Sequence, residues 1–286
     1  MHIDLHMHTT ASDGEHTPEA VIALAREARL DAIAITDHDT TDGYAPALAA
    51  AHGVPRVITG IELSAEDPVE GRENGEDVHM LGYGFDPEDA AFQAELRLFR
   101  EDRRTRAERI LEKLAALGVP VTFEAVLAFA GAAGTGKTAS IGRPHIARAM
   151  VEARYVGTVR EAFDRYLYTG GPAYVARRRL TPEDAIALIH RAGGAAVLAH
   201  PGLLKKPRAV AERLIAAGLD GIEVYHPDNW ADVRLDMLGL VQAFDGVATG
   251  GSDFHGRAVS AKRLGQEDPP PDCVERLLAR AARYRA

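Results

Sequence analysis

A chain of 286 residues is long enough for one large α/β barrel, or for two medium domains, around a well-buried core. With 46% hydrophobic and 26% charged residues and a formal net charge of −9, it reads as a soluble globular protein, and tight sequence-independent binding of long duplex nucleic acid is excluded. The single cysteine, Cys273, rules out an intramolecular disulfide and cysteine-rich zinc sites; no apolar run nears the ~18–20 residues of a membrane span and no secretory signal is legible, so a cytoplasmic protein without a membrane partner is expected.

In chain order, apolar strand patterns occupy residues 2–8 (HIDLHMH), 31–37, 56–63, 76–83, 195–200, 221–226 and 246–251. Helical patterns fill several gaps. "TPEAVIALAREARL" and "TPEDAIALIHRAGG" each open on a threonine suited to cap a helix, followed by proline at the first helical position, and the second closes on Gly193-Gly194. This alternation predicts an α/β fold with a parallel sheet, and seven strands suggest a closed or nearly closed barrel. The alternation breaks over roughly 95–190, where the pattern is mostly helical. The expected organisation is therefore a barrel from residues 1–96 and 177–286 carrying a small helical insertion, 97–176.

One stretch of the insertion imitates a nucleotide site. "GAAGTGKT", residues 131–138, fits the G-x-x-x-x-G-K-T phosphate loop without a mismatch. A working loop needs a strand entering the glycines and a helix leaving from the Lys-Thr pair. Upstream, Phe123, Val126, Leu127 and Ala130 recur at helical spacing behind Thr122; downstream, Gly142 and Pro144 interrupt the required helix. The stretch reads as a helix-to-helix connection that binds no ATP.

The stronger signal lies at the strand ends. His6 and His8 alternate with Leu5 and Met7 and so project from one face of the first strand. Asp13 follows in the next loop, His38 follows the second strand, Glu62 and His79 lie in the third and fourth, and His200 follows the fifth. Asp253 and His255 follow the seventh, in "GGSDFH". In a parallel barrel the strands' C-terminal ends share one rim, and nine such groups could not be buried there without a cation or many hydrogen bonds. Six imidazoles and three carboxylates suit Mn²⁺, Zn²⁺ or Fe²⁺ better than Ca²⁺, and their number suits two or three ions rather than one.

The stretches "DLHMHTTASDG", "AITDHDT", "GIELSA", "VHMLGYG", "LAHPG" and "GGSDFH" resemble, in order, those of the PHP (polymerase and histidinol phosphatase) phosphoesterases. The resemblance implies a distorted seven-stranded (β/α) barrel with a trinuclear centre, Mn²⁺ being the first expectation. It implies a first metal on His6, His8, Glu62 and Asp253, a second on Glu62, His79 and His200, and a third on Asp13, His38 and His255. It also implies hydrolysis of a phosphate ester by a metal-activated water, with no side-chain nucleophile.

Substrate choice is sought in the insertion. An apolar stripe runs through Leu96, Phe99, Ile110, Leu114 and Leu117, yet Arg103 and Arg106 occupy two of its expected positions. Both should point toward the barrel, where either a bound anion or a salt bridge to an acidic barrel residue offsets the cost of a buried cation. Arg97, Arg100, Arg104 and Arg109 read as a solvated face. In "SIGRPHIARAMVEA", Pro144 marks a helix entrance where Arg143 and His145 would add donors and charge for an anion; Arg177 is a weaker candidate in a basic run. "FREDRRTRAERI" and "IGRPHIARAMVEA" resemble the subgroup of nucleoside 3′,5′-bisphosphate phosphatases and 5′-to-3′ oligoribonucleases. The resemblance implies a small phosphorylated nucleotide or a short 5′-phosphorylated RNA as substrate. The alternatives are another small-molecule phosphatase, such as a histidinol-phosphate phosphatase, or a metal-dependent C–N hydrolase.

Overall fold

A computed structural model describes residues 1–68, 75–130, 140–176, 180–257, 259 and 261–285. Seven strands form one sheet in sequence order: β1 (Ile3–Asp4), β2 (Ala32–Ile35), β3 (Arg56–Asp67), β4 (Glu76–Tyr83), β5 (Ala195–Leu198), β6 (Gly221–Tyr225) and β7 (Val247–Gly250). The first and last strands approach each other through Leu5 N–H to the Gly250 carbonyl (3.1 Å), Asp253 N–H to the His6 carbonyl (2.8 Å) and His8 N–H to the Phe254 carbonyl (2.9 Å), which nearly closes the barrel.

The expectation of a parallel sheet is corrected at one strand. β4 runs antiparallel to both β3 and β5, while every other pairing is parallel. The cause is length. Only residues 68–75 join β3 to β4, too few for the crossover of a dozen or more residues that a parallel pair requires. The reversal has a consequence for the site: it places the start of β4, not its end, at the common rim, and His79 pairs with Ser64 there.

Ten α-helices are described: α1 (Pro18–Glu27), α2 (Tyr44–Ala51), α3 (Ala90–Ala116), α4 (Phe123–Phe129), α5 (Arg143–Glu152), α6 (Val159–Ala162), α7 (Pro182–Arg191), α8 (Pro207–Ala216), α9 (Ala231–Ala243) and α10 (Cys273–Ala281). The three capping threonines of the sequence act as their chemistry dictates. Thr17, Thr122 and Thr181 accept from the N–H groups of Ala20, Ala125 and Asp184, each satisfying a donor that the helix start leaves orphaned. No described helix is long and apolar enough to cross a membrane.

Inside the barrel, Ile3, Leu5, Ala32, Ala34, Ile58, Leu81, Tyr83, Ala195, Val197 and Val247 make one buried cluster with Val274, Leu277 and Ala281 of α10, which stops the end opposite the rim. A second cluster fills the space between the sheet and α7, α8 and α9, and Phe92 and Leu96 of α3 join it. A third, separate cluster holds Ala107, Ile110 and Leu114 of α3 together with Val126, Ile146, Ala149 and Met150. The 27-residue α3 thus belongs to the barrel at one end and to the helical segment at the other. Its buried stripe runs 92, 96, 100, 107, 110, 114, so Arg100 lies on the core side rather than on a solvated face, and Leu117, 45% exposed, lies off the stripe. The stripe expected from the apolar residues therefore slips in register between Phe99 and Ile110, where arginines replace the apolar markers.

The segment 131–138 and Arg177 lie outside the described residues. The flanks of the segment bear on its chemistry nonetheless. A helix, α4, leads into it where a phosphate loop needs a strand, and residues 140–142 are not helical, α5 starting only at Arg143. Lys137→Ala is therefore expected to leave catalysis within about twofold, since the surrounding elements do not build a phosphate cradle. ATP binding that disappears in this variant would contradict the expectation.

Candidate metal centre

The barrel rim brings the nine residues together, with five imidazoles directed at one of them, Glu62. Glu62 is 1% exposed on β3, and its two oxygens face opposite groups. Oε1 lies 2.8 Å from His79 Nδ1 and 3.0 Å from His200 Nε2. Oε2 lies 3.1 Å from His38 Nδ1, 3.2 Å from His8 Nε2 and 3.4 Å from His6 Nε2. Asp253 Oδ1 stands 3.5 Å from His6 Nε2, 3.3 Å from His8 Nε2 and 3.4 Å from His255 Nδ1. Asp13 faces His255 Nε2 at 3.3 Å, His8 Nδ1 at 3.7 Å and His38 Nε2 at 3.8 Å.

Within these nine, three sets of ligand atoms lie close enough to share an ion: His6, His8 and Asp253; His38, Glu62 and His79; and His8, Asp13, His38 and His255. His200 reaches the centre through its contact with Glu62.

Three features of the rim accord with divalent ions. The buried atoms His6 Nε2, His8 Nε2 and His38 Nδ1 have no hydrogen-bond partner, although each faces a carboxylate oxygen at more than 3 Å. That spacing is long for a charge-assisted hydrogen bond and natural for two ligands that share a cation. Second, the charges are extreme. Burial alone would push the pKa values of Glu62, Asp253 and Asp13 up, yet neighbouring imidazoles overcome it and hold all three well below the carboxylate range. Conversely, burial opposes a charge on His8, but Asp253, Glu62 and Asp13 push its pKa up to about 10; His6 and His200 are raised in the same way, while burial takes His38 down to about 3. Third, His200 (φ 26°) and Asp253 (φ 51°) occupy the left-handed region, a backbone strain of about 1–3 kcal/mol each that clusters at functional sites.

A supporting shell fixes these groups. Glu223 Oε1 accepts from His6 Nδ1 at 2.9 Å and its Oε2 accepts the His200 N–H at 2.8 Å, which leaves His6 Nε2 directed at the centre. Asp37 accepts from Thr9 N–H (2.7 Å), Thr9 Oγ1 (2.7 Å) and Ser12 Oγ (2.6 Å), tying the loop that carries Asp13. Asp4 accepts from Ser252 N–H (2.9 Å) and Gly265 N–H (2.8 Å), anchoring the segment that carries Asp253. His226, fully buried, accepts the Asp228 N–H on Nδ1 at 3.1 Å and points Nε2 at Asp253 Oδ2, 3.4 Å away. Lys262 Nζ sits 2.8 Å from that same Oδ2 and 2.8 Å from Asp228 Oδ2.

Glu223, His226 and Lys262 are not among the residues singled out by sequence. A signal for the first exists: "GIE" at 221–223 repeats the "GIE" of 60–62, a lone carboxylate in an otherwise apolar strand.

The anion-binding candidates divide. Arg103 is engaged by the barrel: Nε and Nη2 meet Asp39 Oδ2 at 2.6 and 2.5 Å, and Nη2 donates to Ser64 Oγ at 2.7 Å. The salt bridge, one of the two readings left open for it, is present, and Arg103 also lines the cleft. Arg106 Nε donates to the Val175 carbonyl at 2.7 Å. Arg143 meets Asp77 at 3.1 Å and the Leu167 carbonyl at 3.1 Å, with its guanidinium 5.7 Å from the ring centres of Phe163 and Tyr174. His145 is not brought to the cleft. It is fully buried, burial pushes its pKa down to about 4, and its Nδ1 accepts the Gly142 N–H at 3.0 Å. The expectation that it adds charge is thus corrected: it is a neutral helix cap. α5 also begins one residue earlier than expected, at Arg143, with Pro144 second.

A cleft of about 130 Å³ lies between rim and helices. Asp13, His38, Ser64 and His79 line it on the barrel side, and Arg103, Arg106, Arg143 and Phe163 on the other.

A histidine must be without its proton to ligate, and His8 keeps its proton up to a pH of about 10 in the metal-free rim. Metal binding should therefore release protons and strengthen as pH rises anywhere below that value. Calorimetry with Mn²⁺ between about pH 6 and 8, in buffers of different ionisation enthalpy, measures this; pH-independent binding without proton release would contradict it. Asp253→Asn should lose at least one ion by elemental analysis, together with nearly all activity.

Comparisons with known proteins identify the family. The PHP domain model matches residues 4–123. A 3′,5′-nucleoside bisphosphate phosphatase of Chromobacterium violaceum is 37% identical over 284 residues, covering 95% of this chain and 93% of its own. The 5′-3′ exoribonuclease Rnm of Escherichia coli is 35% identical over 259 residues, covering 88% of this chain and 84% of its own. A crystal structure from Bifidobacterium adolescentis, proposed to be a metal-dependent phosphoesterase, superposes with a TM-score of 0.86 at 33% identity and covers 97% of this chain and 96% of its own. With its ligand-rich rim, its seven-stranded barrel and relatives matched along nearly its whole length, the chain belongs to the PHP-domain family.

Proposed function

We propose that this protein is a metal-dependent phosphoesterase that removes the 3′-phosphoryl group of nucleoside 3′,5′-bisphosphates and acts in the same way on short 5′-phosphorylated RNA. The observation that carries the reading is the cleft: metal-ligand candidates form one wall and guanidinium groups the other, so one small molecule can present two anions at once. A single-phosphate substrate, such as histidinol phosphate, gives the second wall nothing to hold. The names of the two relatives point to the same substrate classes.

Divalent ions held by His6, His8, Asp13, His38, Glu62, His79, His200, Asp253 and His255 would supply water activation and charge neutralisation for phosphoryl transfer, Mn²⁺ being the first candidate. The remaining work falls to this chain's own groups. Arg143 is held rigidly by Asp77, the Leu167 carbonyl and two aromatic faces, so little side-chain entropy is lost when it meets a 5′-phosphate. Arg106 closes the same wall, and Arg103, pinned by Asp39, fixes the spacing between wall and rim. At about 130 Å³ the cleft is smaller than the ~300 Å³ or more of a pocket that encloses a drug-sized ligand, so its two charged walls, rather than enclosure, carry recognition of the substrate.

Charge-assisted hydrogen bonds contribute roughly 1.5–3 kcal/mol each, equivalent to about a ten- to hundredfold change in kcat/KM. Arg143→Ala is expected to cost that much on adenosine 3′,5′-bisphosphate and little on adenosine 3′-monophosphate, which has no second anion. Phosphate release from both substrates decides it. An equal loss on the two, or no preference for the bisphosphate in the unmodified enzyme, would remove the clamp from the mechanism.

A further inference from the structure

The loops that follow β5 and β6 touch each other at the rim. Gly202 N–H donates to Asn229 Oδ1 at 2.8 Å, and a Cβ at Gly202 would collide with the Asp228 carbonyl oxygen, so only glycine permits this approach. One residue beyond each partner stand Leu203 and Trp230, 59% and 76% exposed. Trp230 is the most exposed large apolar side chain among the described residues and the only tryptophan of the chain. Lys205 and Lys206, both exposed, follow in the same loop as Leu203, and neither side chain enters an ion pair among the described residues.

This patch adjoins the metal centre. Leu203 N–H bonds the His200 carbonyl at 3.0 Å, and Trp230 stands two residues beyond Asp228, which shares Lys262 with Asp253. It also borders the start of β4, where the Lys205 N–H donates to Glu76 Oε1 at 2.8 Å, next to Asp77, the partner of Arg143. The cleft opens over residues that β1 to β4 and their loops supply, whereas Leu203 and Trp230 stand over β5 and β6.

We propose that Trp230 and Leu203, with Lys205 and Lys206, seat the nucleotide downstream of the scissile phosphate, so that short single-stranded RNA is a substrate class for which this rim is built. The inference rests on the proposed function and deepens it. The loop that carries His200, a metal-ligand candidate, runs directly into Leu203, so a chain that extends beyond a 3′-phosphate at the metals passes this patch. A bisphosphate ends at that point; an oligoribonucleotide continues over the indole. An aromatic face beside cations is the sequence-tolerant way to hold a single strand, through base stacking and backbone attraction.

Trp230→Ala and Trp230→Phe in the metal-loaded enzyme test this against two substrates. The ratio of kcat/KM for a 5′-phosphorylated tetranucleotide to that for adenosine 3′,5′-bisphosphate should fall about tenfold in the alanine variant and recover largely in the phenylalanine variant. The fluorescence of the unmodified protein, which arises from one indole, should be quenched saturably by a 5′-phosphorylated tetranucleotide bearing a phosphorothioate at its first linkage, and not by the bisphosphate. Quenching by RNA supports the seat even if hydrolysis of both substrates fails, which would count against the proposed reaction alone. An unchanged ratio, or RNA turnover without quenching, overturns the seat. So does a dimer that Trp230→Ala dissolves in gel filtration, since the indole would then cover a second copy of the chain.

Discussion

Burying Glu62 among five imidazoles is the constraint on which the rim depends. A carboxylate that is 1% exposed would be expensive on its own, and a set of neutral imidazoles does not neutralise it. His6, His8, His38, His79 and His200 all lie within 3.4 Å of its oxygens. Without a metal, the surrounding carboxylates raise the pKa values of His6, His8 and His200; with divalent ions, nitrogens of these rings would become ligands. The barrel brings these groups from strands and loops far apart in sequence, and its buried core keeps them from spreading into solvent.

The supporting carboxylates account for the firmness of the arrangement. Glu223, Asp37 and Asp4 are buried: Glu223 joins the segments of His6 and His200, while Asp37 and Asp4 each hold one ligand-bearing segment through two or more hydrogen bonds. Burial raises the pKa values of Asp4 and Asp37, while His6 and His226 overcome burial to lower that of Glu223. Asp39 performs the same service between barrel and helices: it accepts the Ser64 N–H at 2.9 Å on one oxygen and holds Arg103 on the other, so that α3 is clamped to the rim it overhangs. The helical wall of the cleft is thus tied to the rim, which favours a fixed spacing between two anions.

Local chemistry is legible in the sequence wherever neighbours along the chain carry it. The threonine caps and the approximate positions of the seven strands follow from hydrogen-bonding capacity and short-range periodicity, but β1 is shorter than the expected 2–8: it ends at Asp4, and His6 and His8 lie beyond it on either side of Met7, which bridges Phe254. The nine rim residues are legible because successive strand ends converge in a barrel, and so many polar groups buried together demand a cation. The phosphate-loop imitation gains no support from its flanks, because such a motif works only with its flanking elements: α4 leads in where a strand is required, and α5 starts too late to supply the helix.

Other features needed the third dimension. The direction of β4 follows from the brevity of the 68–75 connection together with the sheet order, and that direction alone carries His79 to the rim. The burial of Arg100 and the pairing of Arg103 with Asp39 depend on the rotation of α3 against the barrel, which a mixed apolar and charged sequence does not fix. His145 looks like a charged donor in sequence, but packing strips its proton and turns it to its own helix. Glu223, His226 and Lys262 are ordinary residues until folding sets them behind the groups they support. The sequence by itself determined which atoms could bind metal and roughly where each strand lies, because those depend on side-chain chemistry and short-range periodicity. Only the tertiary structure decided which carboxylate each cleft arginine meets, because that depends on distances between residues as far apart as Asp39 and Arg103.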